Sequence, residues 1–598
     1  MPHPKFAFFL TLMLFNTTFL FASEEDINLT LEPIVVIKNN IWLTKTYSLK
    51  ENDIQELILT SPLETLSLLP IDLQSRSLNS GIQSDFSLRG SNFQGVLLLM
   101  DGQRLNDPQT GHHNCDIPLT GLDIERIEVI PGAASSLLGP DTIGGAVNII
   151  SKKPDEKKCI LELGGGQYDT TSILAGISNN NDNSGIRFSL ERKESGGFRY
   201  DTDFKKITAS FASFVAIPDG EFNLNLGYQE KEFGAYDFYT PGLGYPSREW
   251  TKTILLASGL KLDKNGFMIR PDFIWRRHYD KFVLDKTMQR SSYLAHHSTD
   301  MFTPKIYFQK ETYFGNLGLG LEYGQERINS TSLGEHVRNH ESIFFDAAKE
   351  LNSFISLGAS FRSDNFDSFN QIYTGSANLK FLCSLNSSFS LGLARNIRLP
   401  SFTELYYNDP TTIGNSSLSA EKSLNYQAGY DYKEKDFSAG IACFFRQEED
   451  MIDWIKRTPL DTKWQAENIT EDRVWGTEAY LNTKLNPYIY FDLAYAYINK
   501  DSDKEDCFYK YGQNYTQHLV NNTLKFKLPF GVQTISAVYK KKPNRRGWFL
   551  LDAYLSYDLN KKLHLFSRAT NLFNVEYQEI EGIPQPGRWI EGGLRIEW

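Results

Sequence analysis

The sequence predicts an all-β transmembrane barrel preceded by a small α+β domain. Three observations carry this expectation. From about Cys159 to the C-terminus, apolar residues recur at every second position with no helical interlude. Beyond the N-terminus no apolar run reaches the ~20 residues of a helical span, yet Tyr (30), Phe (41) and Gly (43) are abundant. The final stretch is amphipathic, with Ile590, Gly592, Leu594, Ile596 and Trp598 on one face and Glu591, Gly593, Arg595 and Glu597 on the other.

Met1 to Ala22 read as a secretory signal peptide, with His3 and Lys5 as a weakly basic start and Phe6 to Phe21 as the apolar core. An anchoring helix is the alternative. Polar Asn16, Thr17 and Thr18 and the short core favour export with cleavage. An acidic start, Ser23 to Asp26, leads to Glu32-Pro33-Ile34-Val35-Val36-Ile37, a short strand after a proline. Such a strand can stay an ordinary edge or add to a partner's sheet.

Tyr47 to about Lys153 reads as one domain. Ile54 to Leu59 and Pro62 to Leu69 carry helical apolar spacing, with Ser61-Pro62 as a start. Phe86-Ser87-Leu88-Arg89-Gly90 precedes the apolar strand Val96 to Met100 and the turn Asp101-Gly102. Ile127 to Ile130 and Ala146 to Ile150 read as buried strands. A Pro131-Gly132 turn, a small-residue segment able to form a short helix, and Gly144-Gly145 lie between them.

The segments S-L-R-G, V-L-L-L-M-D-G-Q-R-L-N-D, I-E-R-I-E-V-I and I-G-G-A-V-N-I-I-S-K, in this order, closely resemble the plug of TonB-dependent outer-membrane receptors. The resemblance continues at Arg395 to Leu405 with Gly414-Asn415, and at Asn571-Leu572-Phe573-Asn574 with Tyr577 and Pro586-Gly587-Arg588. It implies a barrel of about 22 antiparallel strands with a plugged lumen. It divides the chain into a signal peptide (1–22), an N-terminal segment (23–43), a plug (44–153) and a barrel (154–598). It also makes Glu32 to Ile37 a TonB box, which binds TonB by strand addition. In relatives an arginine precedes the glycine after I-E-R-I-E-V-I and joins Arg89 on barrel glutamates; here Pro131 stands in its place.

In the barrel, Phe222, Leu224, Leu226 and Tyr228 alternate with Asn223, Asn225, Gly227 and Gln229, and Leu317 to Gly324 and Phe491 to Tyr497 do likewise. Alternation alone fits a soluble sandwich as well as a barrel. The length of the array, the last strand and long polar loops on one side (Phe233 to Trp250, Asp285 to Asp300, Tyr406 to Ser423) favour the barrel.

The loop Asn106 to Asp116 holds His112, His113, Cys115 and Asp116, but its spacing matches no closed zinc pattern. It resembles apical plug loops of cobalamin-receptor-like relatives, which makes Asn106, Asp107, Gln109, His112, His113 and Asn114 candidate ligand contacts. Asp201, Asp203 and Asp237 are hard oxygen ligands suited to a structural Ca²⁺ in extracellular loops, against a reading as ordinary loop aspartates. His296-His297 reads as a solvated loop pair. Lys540 to Arg546 reads as a charged turn, or as a cluster that attracts anionic lipid headgroups.

No G-x-S-x-G, P-loop, H-E-x-x-H or C-x-x-C is present, so no enzyme and no required cofactor are expected. Five widely spaced cysteines imply neither a disulfide framework nor a zinc site. The net charge of −11 argues against nucleic acid. The resemblance implies a monomer in outer-membrane lipid and lipopolysaccharide, energised through TonB and its inner-membrane complex. The expected cargo is cobalamin or another corrinoid, judged from length, the N-D-P-Q-T-G-H loop and Phe238 to Gly242. A ferric siderophore or haem is the alternative cargo. A passive porin or adhesin barrel and a secreted soluble β-rich enzyme are the alternatives from other classes.

Overall fold

The computed structural model describes residues 46–598, except 57–61, 78–80, 133–134, 240, 289–293, 410, 470, 503–506 and 513. The signal peptide and the proposed TonB box, Glu32 to Ile37, lie outside the described residues.

Alternation becomes a closed barrel of 22 strands. Closure is made by Trp589–Glu597 pairing antiparallel with Lys158–Gly166. Cys159 and Trp598 extend the seam by exchanging backbone hydrogen bonds of 2.8 and 3.1 Å. Closure leaves none of the 22 barrel strands as an edge able to pair with another chain. Phe222 and Leu226 point outward, each 38% exposed, while Asn225 and Gln229 of the same strand are buried inside. The apolar face therefore meets lipid and the polar face meets the lumen.

The two ends of the barrel differ. At one end, two-residue turns such as Asn265-Gly266 and Tyr313-Phe314 join the strands. At the other, residues 235–247 and 399–420 form long connections. The strands Arg248–Lys264, Phe267–Val283 and Leu294–Thr312 hold 17, 17 and 19 residues. A membrane strand needs only about 9–11. Their upper ends rise beyond the bilayer as a wall on the long-loop side.

That wall corrects the reading of His296-His297. The pair lies in a strand, not a loop, with His297 opposite Asp280 and His296 opposite Lys281. Alternation turns His296 outward and buries His297. The polar run looked like loop because its inner face packs on another polar surface, the plug apex. The Lys540 cluster also differs from expectation, since Lys540 and Lys542 are buried on the inner side.

The lumen holds the plug. Its five-stranded sheet runs Tyr47–Lys50, Ile124–Pro131, Gly145–Ser151, Val96–Met100, Gln103–Arg104. Asp101 and Gly102, at φ 51° and 80°, close the hairpin between the last two. One core joins Leu98, Met100, Ile127, Val129, Val147 and Ile149 to Leu66, Ile71 and the barrel residues Leu255 and Ile274. Leu97, Leu99, Ile130 and Ala146 pack on the other face. Gly145 sits at φ 138°, where an added Cβ would lie 2.2 Å from the Ile130 carbonyl oxygen. A short helix spans Ser135–Leu138, while the helical spacing near the domain start resolves into a helix Glu51–Glu56 and a 3-10 turn Pro62–Leu68.

Candidate functional site

The apical plug loop is built from its own polar side chains. Asn106 accepts from Leu98 N at 2.6 Å and donates to the Val96 carbonyl at 3.1 Å, which pins the loop to a core strand. Asn114 accepts from Asp107 N at 2.8 Å, and Asp107 accepts from Gln109 N at 2.9 Å. Thr110 caps the short turn Gly111–His113. Asp107 also holds Arg276 of the barrel wall. Of the six candidate contacts, Asn106, Asp107 and Asn114 thus shape the loop, and Gln109, His112 and His113 reach the space above it.

That space is a cavity of about 510 Å³ open toward the long loops. Its floor is Phe93, Gln94, Gln109, Thr110, His112 and His113. Aromatic walls come from Tyr239, Tyr245, Phe282, Tyr407, Trp454 and Tyr511. Carboxylates of Glu249, Asp280, Glu404 and Asp409 also face it, and Lys510 is the one lysine or arginine among the described lining residues. Tyr239 comes from the Phe238 to Gly242 loop. Phe238 itself is buried against Phe233 and Trp589.

The floor is electrostatically ordered. His112 stacks on Phe93 at 4.3 Å between ring centroids, with Nδ1 2.9 Å from Asp85 Oδ1. Asp85 also accepts from Arg76 at 2.9 Å. Burial opposes ionisation of Asp85, but His112 and Arg76 outweigh it and hold the carboxyl at about 2. Burial keeps His112 below its ordinary value, although Asp85 pulls the other way. His113 behaves oppositely. Burial would lower it, but Asp280, Asp116 and Glu249 raise it to about 9. Its Nε2 lies 3.5 Å from Asp280 Oδ2 and its Nδ1 4.0 Å from Asp116 Oδ2. Cys115 belongs to no such group; burial pushes its thiol well up.

Comparison with known proteins fits this architecture. Residues 161–572 match the model of the TonB dependent receptor-like β-barrel, and residues 43–146 that of the TonB-dependent receptor plug domain. The chain belongs to the TonB-dependent receptor family. It is 23% identical over 555 residues to the vitamin B12 transporter BtuB of Vibrio vulnificus strain YJ016, covering 88% of this chain and 87% of that one. A second BtuB, from Photobacterium profundum, is 22% identical over 537 residues, with 86% of each chain covered. Among solved structures, the siderophore receptor PiuA of Acinetobacter baumannii superposes with a TM-score of 0.77 at 15% identity, covering 96% of this chain and 99% of that one. The siderophore receptor PirA of Pseudomonas aeruginosa gives 0.74 at 16%, covering 92% and 99%. At these identities the superpositions show the shared fold. A 22-strand barrel of this family places the receptor in the bacterial outer membrane.

The receptor's plug is anchored below the cavity. Arg89 donates to both oxygens of Glu478, at 3.0 and 2.8 Å, and to Gln427 Oε1 at 2.8 Å. Tyr47 donates to the same glutamate at 3.1 Å, and Phe444 stacks under the guanidinium at 4.5 Å. Pro131 brings no second plug cation here. Gly132, the next residue, lies so close to Arg89 that an added Cβ would meet Nη1 at 2.7 Å.

Asp201, Asp203 and Asp237 come from connections that do meet, since Tyr236 N reaches the Asp201 carbonyl at 3.3 Å. Their carboxylates are all engaged, and Arg248 lies within 3.8 Å of both Asp201 and Asp203. Asp203 pairs with Arg248 at 2.9 Å, Asp201 with Lys286, and Asp237 accepts from Gly244 N at 2.7 Å. No sequence motif marks Glu249, Asp280, Trp454 or Tyr511 as site residues, and His297 belongs to the pair expected in a solvated loop. The register of three neighbouring strands, the long loops and the plug together bring them to one place.

Proposed function

We propose that the receptor imports a corrinoid, cobalamin above all, across the outer membrane with energy delivered by TonB. One observation carries the choice of cargo: the charge and shape of the cavity above the plug. Aromatic side chains line its walls, and its charges are close to balanced: Glu404 pairs with Arg398 and Asp280 with His113, which leaves Glu249 and Asp409 with Lys510. With its carboxylates mostly paired and a single lysine, the cavity offers an anionic ferric siderophore no basic surface to attract it. A bulky cargo with a near-neutral, amide-rich surface meets amphipathic rings and amide or hydroxyl groups instead. The vitamin B12 transporters among the relatives support the same reading. The siderophore receptors share the barrel, and the barrel does not choose a cargo.

Cargo seated on Phe93, His112 and His113 would bias the plug toward exposing Glu32 to Ile37, which TonB captures by strand addition. Proteins of this family are receptors and transporters, and the chain needs no nucleotide site because the work comes from outside. The test is a binding screen of purified receptor with cyanocobalamin, ferric enterobactin and haem, read by quenching of tryptophan fluorescence. Saturable binding of cyanocobalamin is expected. Binding of ferric enterobactin or haem without cyanocobalamin would overturn the assignment.

A further inference from the structure

We propose that the receptor holds one divalent transition-metal ion of the zinc class between plug apex and barrel wall, on His113, His297, Glu249 and Asp280. This inference goes beyond the cargo reading and does not depend on it. Ligand atoms of His113, Glu249 and Asp280 lie within 4.8 Å of one another. His297 Nε2 approaches Asp280 Oδ2 from another side at 3.9 Å. A tetrahedral ion with bonds of about 2.0–2.2 Å spaces its ligand atoms by roughly 3.4 Å. His113 Nε2 and Asp280 Oδ2, at 3.5 Å, already have that spacing.

Two further observations point to a cation. Asp280 is 6% exposed, and its Oδ1 has no hydrogen-bond partner. A buried carboxylate oxygen without a partner is costly. His297 is also held in place from behind. Ser330 Oγ lies 2.8 Å from His297 Nδ1, leaving Nε2 to face inward. Tyr239 donates to Glu249, leaving that residue's other oxygen for the ion. Two imidazoles and two carboxylates are the donor set of a borderline-soft ion, not of Ca²⁺ or Mg²⁺. All four residues line the open cavity, which gives the ion an entry path.

A neighbouring triad, His113, Asp116 and His278, has similar spacing. It is the poorer site because Lys231 pairs with Asp116 and Arg276 with Asp107 beside it. The consequence of the favoured site is mechanical. An ion bound there would tie the plug loop through His113 to three strands of the wall.

The experiment uses the full-length receptor in detergent, stripped with a chelator and titrated with Zn²⁺ and with Co²⁺. One Zn²⁺ per chain and the intense visible bands of low-symmetry Co²⁺ are expected. Asp280→Asn and His297→Ala should weaken Zn²⁺ by more than the roughly 10–100-fold that loss of an outer-shell partner costs. His296→Ala, on the outer face of the same strand, should leave it unchanged. Absence of stoichiometric binding, equal loss in His296→Ala, or loss in His278→Ala with full retention in Asp280→Asn would each overturn the proposal. If the variants do not fold, judged by heat-modifiable migration, the wild-type Co²⁺ spectrum decides. Low-symmetry bands support the site, and a six-coordinate spectrum refutes it.

Discussion

Arg446 of the barrel donates to the carbonyl oxygen of the plug residue Arg89 at 3.0 Å, while its Nε holds Glu448 at 2.6 Å. Arg446 and Glu448 are fully buried. The positive charge that relatives bring on a second plug arginine is thus supplied here from the wall. This gives Pro131 a physical context, because the neighbouring barrel glutamate is already neutralised. Pro131→Arg should therefore destabilise plug docking, as it adds a second guanidinium where Gly132 already lies against Arg89. Pro131→Arg combined with Arg446→Leu should recover part of the loss. Urea titration with a plug-directed protease as the probe checks both.

Glu478→Ala should be more damaging than Pro131→Arg. It leaves the Arg89 guanidinium buried with only Gln427 as a side-chain acceptor. Removing one partner of a buried pair costs about 3–5 kcal/mol. The expected outcome is a plug cleaved by protease at urea concentrations where the wild type resists. Equal resistance would mean that Arg89 finds water when the glutamate is gone.

Much of this molecule was legible in its residues, and what was not has a common cause. Period-two alternation and the plug segments gave the strands and the domain order because both depend on neighbours in sequence. Arg89 stood out for the same reason. The cavity walls did not. Glu249, Asp280 and His297 lie on three strands whose tops meet only through the antiparallel register and the plug beneath. His297 was misread because inward-facing polarity looks like loop until a polar plug is known to fill the lumen. His113 showed no metal spacing because Glu249, Asp280 and His297, the residues proposed to share an ion with it, lie more than a hundred residues away.

Acid should loosen the plug apex through Asp85. Its carboxyl is held at about 2 against an ordinary 3.8, chiefly because His112 and Arg76 overcome the burial that opposes ionisation. A depressed carboxyl contributes stability that is fully present above 3.8 and lost as pH falls through about 2. The shift corresponds to about 2 kcal/mol. Burial lowers His112 from its ordinary value, and Arg76 holds the same carboxylate at 2.9 Å. Thermal unfolding between pH 6 and pH 2 should show this loss in the wild type, and a flatter profile in Asp85→Asn.

Phe93 should be a hot spot for cargo. It lines the cavity floor, stacks on His112, and meets the edge of Tyr511 at 5.4 Å between centroids. Phe93→Ala removes a contact surface and frees His112 to tilt. Aromatic anchors at binding sites commonly carry more than 1 kcal/mol, so affinity should fall about tenfold. A titration of cyanocobalamin against the variant measures this. Unchanged affinity would place the cargo higher, among the loops.

Lys540 should prove to be a structural cation of the lumen and not a lipid-headgroup contact. Its Nζ donates to Glu579 at 2.9 Å, to the Leu73 carbonyl at 2.7 Å and to Asp72 at 3.2 Å. It therefore ties the strand Gly531–Lys541 to the plug strand Asp72–Ser75 and to the loop strand Gln578–Ile580. Lys540→Met would leave Asp72 and Glu579 buried side by side with like charge, at a cost of about 3–5 kcal/mol. Arg545, by contrast, is exposed and pairs with exposed Glu581 at 2.5 Å, so Arg545→Ala should change stability by less than about 1 kcal/mol. Unfolding midpoints of the two variants in detergent, compared with their retention on anionic vesicles, separate the roles. A stable Lys540→Met receptor with weakened vesicle binding would return this lysine to the membrane surface.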